Sequence, residues 1–277
     1  MEMTTYIRRL LEHELERDRS FDDVTTRMLP VSDRLAKGHV ISKEAGAFCG
    51  ELICEGFAQI FDQKVEVYCE KKDGDAILPG ELLVGMTGTL EHLLSLERTM
   101  LNVLAHLCGI ATLTKKFVDE VGKLPTKILA TRKTLPGLRD LQLYAVRAGG
   151  GYVHRRALSD GILFKENHLA FFSPAEALTI SKKKRSPLQR LEIEVQNINV
   201  LRAVLIEPPD IIMLDNLSLK DLELAIKMID RKAEVEVSGG VTLDKVKAIA
   251  ELGVQYISVG RLTHSAPAID MSLDVSL

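Results

Sequence analysis

Charged side chains set in apolar or glycine-rich sequence, outside any charge run, are the ones best placed to do chemistry. Arg98, Arg132, Lys133, His154, Arg155 and Lys165 are mostly of this kind. Arginine forks match carboxylate and phosphate groups in bidentate fashion, and lysine supplies a compact point charge. Such a set in one place would hold a highly anionic small molecule. Glu194 and Asp215 lie in apolar runs among these cations. Paired carboxylates suit a Mg²⁺ ion carried by a diphosphate; as salt-bridge partners of the arginines they would be structural instead. Ser238-Gly239-Gly240 and Gly260-Arg261 are glycine turns of the type that let backbone N–H groups approach phosphate oxygens. The plain alternative is a pair of tight turns.

These residues need a scaffold, and the hydrophobic pattern supplies one. From about residue 112 the rhythm is strand, loop, helix. Strands are expected at Lys127–Thr131, Gly161–Lys165, Leu191–Val195, Ile211–Leu214, Glu234–Ser238 and Tyr256–Val259, with helices such as Leu138–Arg147, Leu219–Ile229 and Leu243–Leu252 between them. Regular alternation calls for a parallel sheet, and this many units suggests a barrel, whose chemistry gathers at the C-terminal strand ends. A doubly wound open sheet is disfavoured by the lack of GxGxxG after an early strand. Thr131-Arg132-Lys133, Lys165-Glu166-Asn167-His168, Glu194, Asp215-Asn216, Ser238-Gly239 and Gly260-Arg261 all fall at such ends. Lys182–Arg185 (KKKR) follows a helix and precedes a strand, so it reads as a solvated loop on the opposite face.

The first 111 residues read as a separate α/β domain. An amphipathic helix is expected around Tyr6, Ile7, Leu10, Leu11 and Leu15, with further helices at Glu51–Phe61 and Glu91–Leu107. Strands are expected at Gly38–Ser42, Val65–Cys69 and Leu82–Met86. The barrel domain takes residues 112–277, whose C-terminal tail is free to pack back on the first domain.

The chain has 277 residues, 46% of them hydrophobic, and a net charge of −3. That composition supports a large core and disfavours disorder and nucleic-acid coating. No apolar run is long enough for a membrane span. The start, MEMTTYIRRLLEHELERD, is too charged for a signal peptide and too acidic for a transit peptide, which implies a cytoplasmic protein. Cys49, Cys54, Cys69 and Cys108 lack metal-ligand spacing and read as reduced, buried thiols.

The segments ATRKTLPGLR (130–139), AVRAGGGYVHR (145–155), ILFKENH (162–168), IIMLDN (211–216), VSGGVT (237–242) and ISVGRLTHSAPAIDMSL (257–273) closely resemble the quinolinate phosphoribosyltransferase family. DGDAILPGELL (73–83) and LLSLERTMLNVLAHLCGIAT (93–112) extend the resemblance to nearly the whole chain. It implies an N-terminal α/β sandwich domain and an incomplete, seven-stranded parallel α/β barrel, the seventh strand falling near Gly151–His154. The implied reaction joins quinolinate and phosphoribosyl pyrophosphate, with Mg²⁺, to give nicotinate mononucleotide, CO₂ and pyrophosphate, a step in NAD biosynthesis. By resemblance, Arg132, His154, Arg155 and the Arg98 of a second subunit hold the diacid, in a homodimer or an assembly of dimers. Lys133 and Lys165 neutralise the pyrophosphate, Glu194 and Asp215 take Mg²⁺ or ribose hydroxyls, and Ser238, Gly239, Gly260 and His264 cradle the 5′-phosphate. Lys133, Lys165, Glu194 and Asp215 are the implied catalytic groups.

Several positions depart from the family pattern. Ala130 and Val153 replace the usual Asp and Asn, Glu166 replaces an Asp, and RDRSFDDVTT (17–26) lacks the usual glycines. Ala130 also occurs in related ModD-like proteins of molybdenum transport, so a transferase with another acceptor stays open. So do a non-catalytic phosphate-sugar binding protein and a lyase using Lys165 as a Schiff-base amine.

Overall fold

The computed structural model describes residues 3–30 and 34–277. In chain order it runs α1 (Met3–Arg17), α2 (Val24–Arg27), β1 (Leu35–Ser42), β2 (Gly46–Ala47), α3 (Glu51–Phe61), β3 (Val65–Cys69), β4 (Ala76–Ile77), β5 (Leu82–Thr89) and α4 (Leu90–Val121). There follow β6 (Lys127–Ala130), α5 (Arg139–Ala148), β7 (Tyr152–Val153), β8 (Ile162–Phe164), α6 (Glu166–Leu169), α7 (Pro174–Lys184), β9 (Leu191–Val195) and α8 (Ile198–Val204). The chain closes with β10 (Ile211–Asp215), α9 (Leu219–Ile229), β11 (Glu234–Ser238), α10 (Leu243–Glu251), β12 (Tyr256–Ser258), α11 (Arg261–His264) and β13 (Met271–Ser276). None of the described helices is long and apolar enough to cross a membrane.

Two compact units emerge. One gathers residues 1–115, 135–150 and 265–277; the other takes 116–134 and 151–264. A single cut after residue 111 follows the order of the chain, while packing also assigns α5 and the tail to the first unit.

The first unit is built on an antiparallel sheet of order β13-β1-β5-β3. Its helix α1 buries Ile7, Leu11 and Leu15, one per helical turn. Helix α4 runs fourteen residues past its expected end at Leu107. Gly109, inside this extension, makes room for the tail. A Cβ there would lie 2.0 Å from the Pro267 carbonyl oxygen, and the Ile269 N–H donates to the Ala105 carbonyl at 3.0 Å. The tail then pairs with β1 as β13, Lys37 opposite Ser276.

The second unit is a seven-stranded, all-parallel sheet of order β7-β6-β12-β11-β10-β9-β8. Its strands are rich in Ile, Leu and Val and buried throughout in places, as in β9, which is typical of a parallel sheet covered on both faces. In chain order the last strand, β12, returns to pair with the first, β6, as barrel closure requires. The seam lies between β7 and β8, which do not pair. The barrel is therefore incomplete and seven-stranded, with β7 at the expected place but only two residues long.

The loop expected over Lys182–Arg185 is a correction. Lys182, Lys183 and Lys184 form the last turn of α7, where cations oppose the negative end of the helix dipole. Lys182 pairs with Glu207 at 3.3 Å, and Arg185 pairs with Asp210.

Candidate functional site

Strand register decides which side chains share the barrel interior. Along β9 and β10, Glu192 lies opposite Ile211 and Glu194 opposite Met213, so Asp215 faces the same way one period on. Ser238 on β11 lies opposite Asp215, and Glu236 opposite Met213. On the other flank Leu163 lies opposite Glu192, which puts Lys165, at the end of β8, on this face. Through Tyr256, Ser258, Leu129 and Tyr152 the same face continues round to His154 after β7.

The carboxylates at the strand ends are already engaged. Lys165 Nζ forms an ion pair with Glu194 Oε2. The Gln196 side-chain N–H donates to Glu166 Oε2 at 3.0 Å and to Glu194 Oε1 at 3.5 Å. Asn216 Nδ2 donates to Asp215 Oδ2 at 2.7 Å. Glu194 and Asp215 offer hard oxygen donors from adjacent strands on one face, a donor set that fits Mg²⁺ shared with a diphosphate. An ammonium paired in this way is a poor Schiff-base nucleophile, which argues against the lyase reading.

Positive charge collects beside them. Arg132 follows β6, and its Nε is buried with no hydrogen-bond partner. Arg155 follows His154 and donates from Nη1 to the Gly161 carbonyl at 3.2 Å. Burial, and then the neighbouring Arg132 charge, hold its pKa below the usual arginine value. Two guanidiniums close enough to repel, one with an unsatisfied buried N–H, make a site that an anion would relieve.

The glycine turns are tight for identifiable reasons. Gly239 has φ +89°, and a Cβ on it would lie 2.3 Å from Asn216 Oδ1. A Cβ on Gly260 would come within 3.1 to 3.4 Å of Lys133 Cδ, His264 Nε2 and Thr131 Oγ1. Lys133 and His264 therefore flank the turn after β12. Thr263 Oγ1 ties it down by donating to the Lys133 carbonyl at 2.7 Å.

Two residues of this face were not singled out from the sequence: Glu192 and Glu236, both buried, which converge on His154. Burial opposes charge on the imidazole and the two carboxylates favour it, while the Arg155 N–H, which donates to Nδ1, holds the ring in its singly protonated form. Burial, the largest influence on Glu192, raises its pKa. A signal was available. In LEIEV (191–195) the two glutamates share one side of a strand by the period of two, so if Glu194 faces inward Glu192 must as well.

Arg98 belongs to the first unit and is not on the barrel face. It stands on α4, 65% exposed, 3.9 Å from Glu97, and lines a cavity of ≈ 230 Å³ with Glu14, Arg17, Asp18 and Asn102. Ala130 ends β6, buried, its carbonyl accepting the His154 N–H at 3.2 Å. All four cysteines are free thiols, but Cys69 is half-buried, contrary to the expected burial of the whole set.

Comparison with known proteins bears on what this face does. The family model for the C-terminal domain of quinolinate phosphoribosyl transferase matches residues 110–274, and that for the N-terminal domain matches 23–108. A Bacillus subtilis (strain 168) relative, named probable nicotinate-nucleotide pyrophosphorylase (carboxylating), is 38% identical across 98% of this chain and 94% of its own length. The Mycobacterium leprae (strain TN) nicotinate-nucleotide pyrophosphorylase (carboxylating) is 36% identical, covering 97% and 95%. Among solved structures, the nicotinate-nucleotide pyrophosphorylase from Francisella tularensis superposes with a TM-score of 0.91 at 34% identity, covering 100% of this chain and 98% of that one.

Proposed function

The chain belongs to the quinolinate phosphoribosyltransferase family, and from that premise we propose the way its barrel face carries out the reaction. It is a pentosyltransferase, a carboxylating nicotinate-nucleotide pyrophosphorylase of NAD biosynthesis. Quinolinate and phosphoribosyl pyrophosphate give nicotinate mononucleotide, CO₂ and pyrophosphate.

The observation that carries the assignment of residues is the buried, partnerless Nε–H of Arg132, whose charge also lowers the pKa of Arg155. Quinolinate has two adjacent carboxylates, and two guanidinium forks with His154 suit that pattern. Arg98 of a second copy completes the diacid site in a homodimer, from its exposed position on α4. Lys133 and Lys165 bind the pyrophosphate. The turns at Ser238-Gly239 and Gly260, with His264, hold the 5′-phosphate through backbone N–H groups. Glu194 and Asp215 hold Mg²⁺, which, when bound, offsets the charge of the departing diphosphate. The protein works in the cytoplasm.

Chemistry then follows from orientation and charge more than from a covalent intermediate. The pyridine nitrogen attacks the anomeric carbon, and the bond to pyrophosphate breaks with its electron pair leaving on oxygen. Glu194 and Asp215 favour positive charge developing at the sugar carbon. The ring nitrogen is now cationic and stabilises the pair left on C2 when CO₂ departs, and a proton from water completes nicotinate mononucleotide.

The test is product formation by the purified chain. Nicotinate mononucleotide should appear only with quinolinate, phosphoribosyl pyrophosphate and Mg²⁺ together, and chelation should stop it. Arg132→Ala should raise the quinolinate KM by roughly 10- to 100-fold, the loss of one charge-assisted contact. Turnover of a different acceptor in place of quinolinate would favour the ModD-like alternative, and binding without turnover would leave a phosphate-sugar receptor.

A further inference from the structure

The reaction as described gives no work to Glu192 and Glu236, which are only 4% and 1% exposed. They come from β9 and β11 and meet at one imidazole. Glu192 Oε2 lies 2.9 Å from His154 Nε2, and Glu236 Oε2 lies 3.3 Å from the same nitrogen. On the far side of the ring the Arg155 backbone N–H donates to Nδ1 at 2.7 Å. A backbone amide only donates, so Nδ1 accepts and the N–H facing the carboxylates is the one at Nε2. Both ring nitrogens are thereby fixed, and the ring cannot turn over or exchange tautomer without losing a bond. The next link is Arg155 itself, whose guanidinium is steadied by the Gly161 carbonyl.

Stability does not explain the arrangement. Glu192 Oε1 and both Glu236 oxygens are buried without a hydrogen-bond partner. Apolar residues of similar volume would fill the space at lower cost, since buried charge carries a desolvation penalty. Nor does the metal proposed at Glu194 and Asp215 account for it, because the pair is turned to His154.

We infer that Glu192 and Glu236 are positioning residues for the acceptor. By clamping His154 they fix the His154–Arg155 segment, so that the Arg155 guanidinium meets a carboxylate of a pyridine diacid in one orientation. This rests on the proposed function, because it specifies how the diacid half of that site is preorganised. Phosphoribosyl pyrophosphate is held elsewhere on the barrel face, so the clamp bears on one substrate only.

The experiment measures both KM values in the full-length enzyme for Glu192→Ala, Glu192→Gln, Glu192→Asp and His154→Gln, and for Glu192→Ala combined with His154→Gln. Glu192→Ala should raise the quinolinate KM by about 10-fold or more while the phosphoribosyl pyrophosphate KM stays within about twofold. Glu192→Gln keeps an acceptor oxygen for Nε2–H and should restore most of the affinity. In the His154→Gln background Glu192→Ala should add little, because residues acting through one another are not additive. Glu192→Asp withdraws the carboxylate by one methylene and is the variant to read if the alanine chain does not fold; its quinolinate KM should also rise.

Four results would overturn the inference: a quinolinate KM within twofold of the parent in the Ala and Asp variants, a parallel rise in both KM values, full additivity with His154→Gln, or failure of Gln to rescue. A stoichiometric metal in the purified enzyme that is lost with Glu236→Ala would also overturn it, since the ligand atoms of His154, Glu192 and Glu236 lie within 4.8 Å of one another. Parent enzyme that turns over quinolinate beside unshifted variants sinks this inference alone. Parent enzyme without quinolinate-dependent product sinks the proposed function, and the inference with it.

Discussion

Lys165 and Glu194 form an ion pair across the neighbouring strands β8 and β9, with the lysine side chain 43% exposed and the glutamate only 7% exposed. The proposed phosphate-binding cation and the proposed metal ligand thus satisfy each other. The pair is asymmetric, and so is the expected response to mutation. Lys165→Ala strands a buried carboxylate and should destabilise the fold by about 1–2 kcal/mol, allowing for partial solvent screening. Glu194→Gln leaves an ammonium that water can reach and should change Tm little. Both should lower kcat/KM by roughly 100-fold or more, as expected for groups that stabilise transition-state charge. Denaturation curves and steady-state rates of the two variants check this, and equal destabilisation would contradict it.

Gly239→Ala should damage one substrate's binding more than the other's. Its φ of +89° is strained for alanine, and the new Cβ would overlap Asn216 at both Oδ1 and the backbone nitrogen. The turn must shift, at a cost of about 1–3 kcal/mol. Titration with each substrate should show the phosphoribosyl pyrophosphate KM rising more than about tenfold, with quinolinate nearly unaffected. Equal rises would remove this turn from the phosphate cradle.

Asp210 supplies a pH dependence outside the site. Burial alone would raise its pKa, but hydrogen bonds from Arg185 and the Leu191 N–H outweigh it and hold the carboxyl below its ordinary value of 3.8. A depressed folded-state pKa contributes stability above the unfolded value and loses it as pH falls through the folded one. Asp210→Asn should therefore lower Tm at pH 7, and the gap to the parent should close below about pH 3.8. Thermal melts at several pH values measure it, and a gap that widened in acid would contradict the pairing.

Thiol reactivity should single out one cysteine. Burial pushes the Cys108 thiol up to about 12 and raises Cys49 strongly. Cys54 is raised by its hydrogen bond with Cys69 and by burial. Cys69 is the half-buried one. Since thiolate character and access set the rate, a maleimide should label Cys69 first in the native protein and all four cysteines after denaturation, by mass of the modified peptides. Labelling of Cys108 before Cys69 would contradict the packing of the first unit.

Much of this protein is written locally in its sequence. The strands Leu191–Val195 and Glu234–Ser238 and the helix Leu219–Ile229 form at their expected ends, because apolar spacing and turn residues act within a few positions of one another. The residue types at the strand ends also announce an anion site, and the period of two within LEIEV aims both glutamates inward. Distance is another matter. Helix α4 continues past its expected end at Leu107, and only the packed tail backbone shows why residue 109 must be glycine. Four strands separate β7 from β9 in the sheet, and only its curl brings His154 within 2.9 Å of Glu192. Lys165 meets Glu194 because β8 and β9 are neighbours in the sheet, a pairing that likewise no single segment fixes. Which residues face the interior follows from local geometry; which of them touch is set by closure of the whole barrel, a non-local property that no stretch of sequence carries by itself.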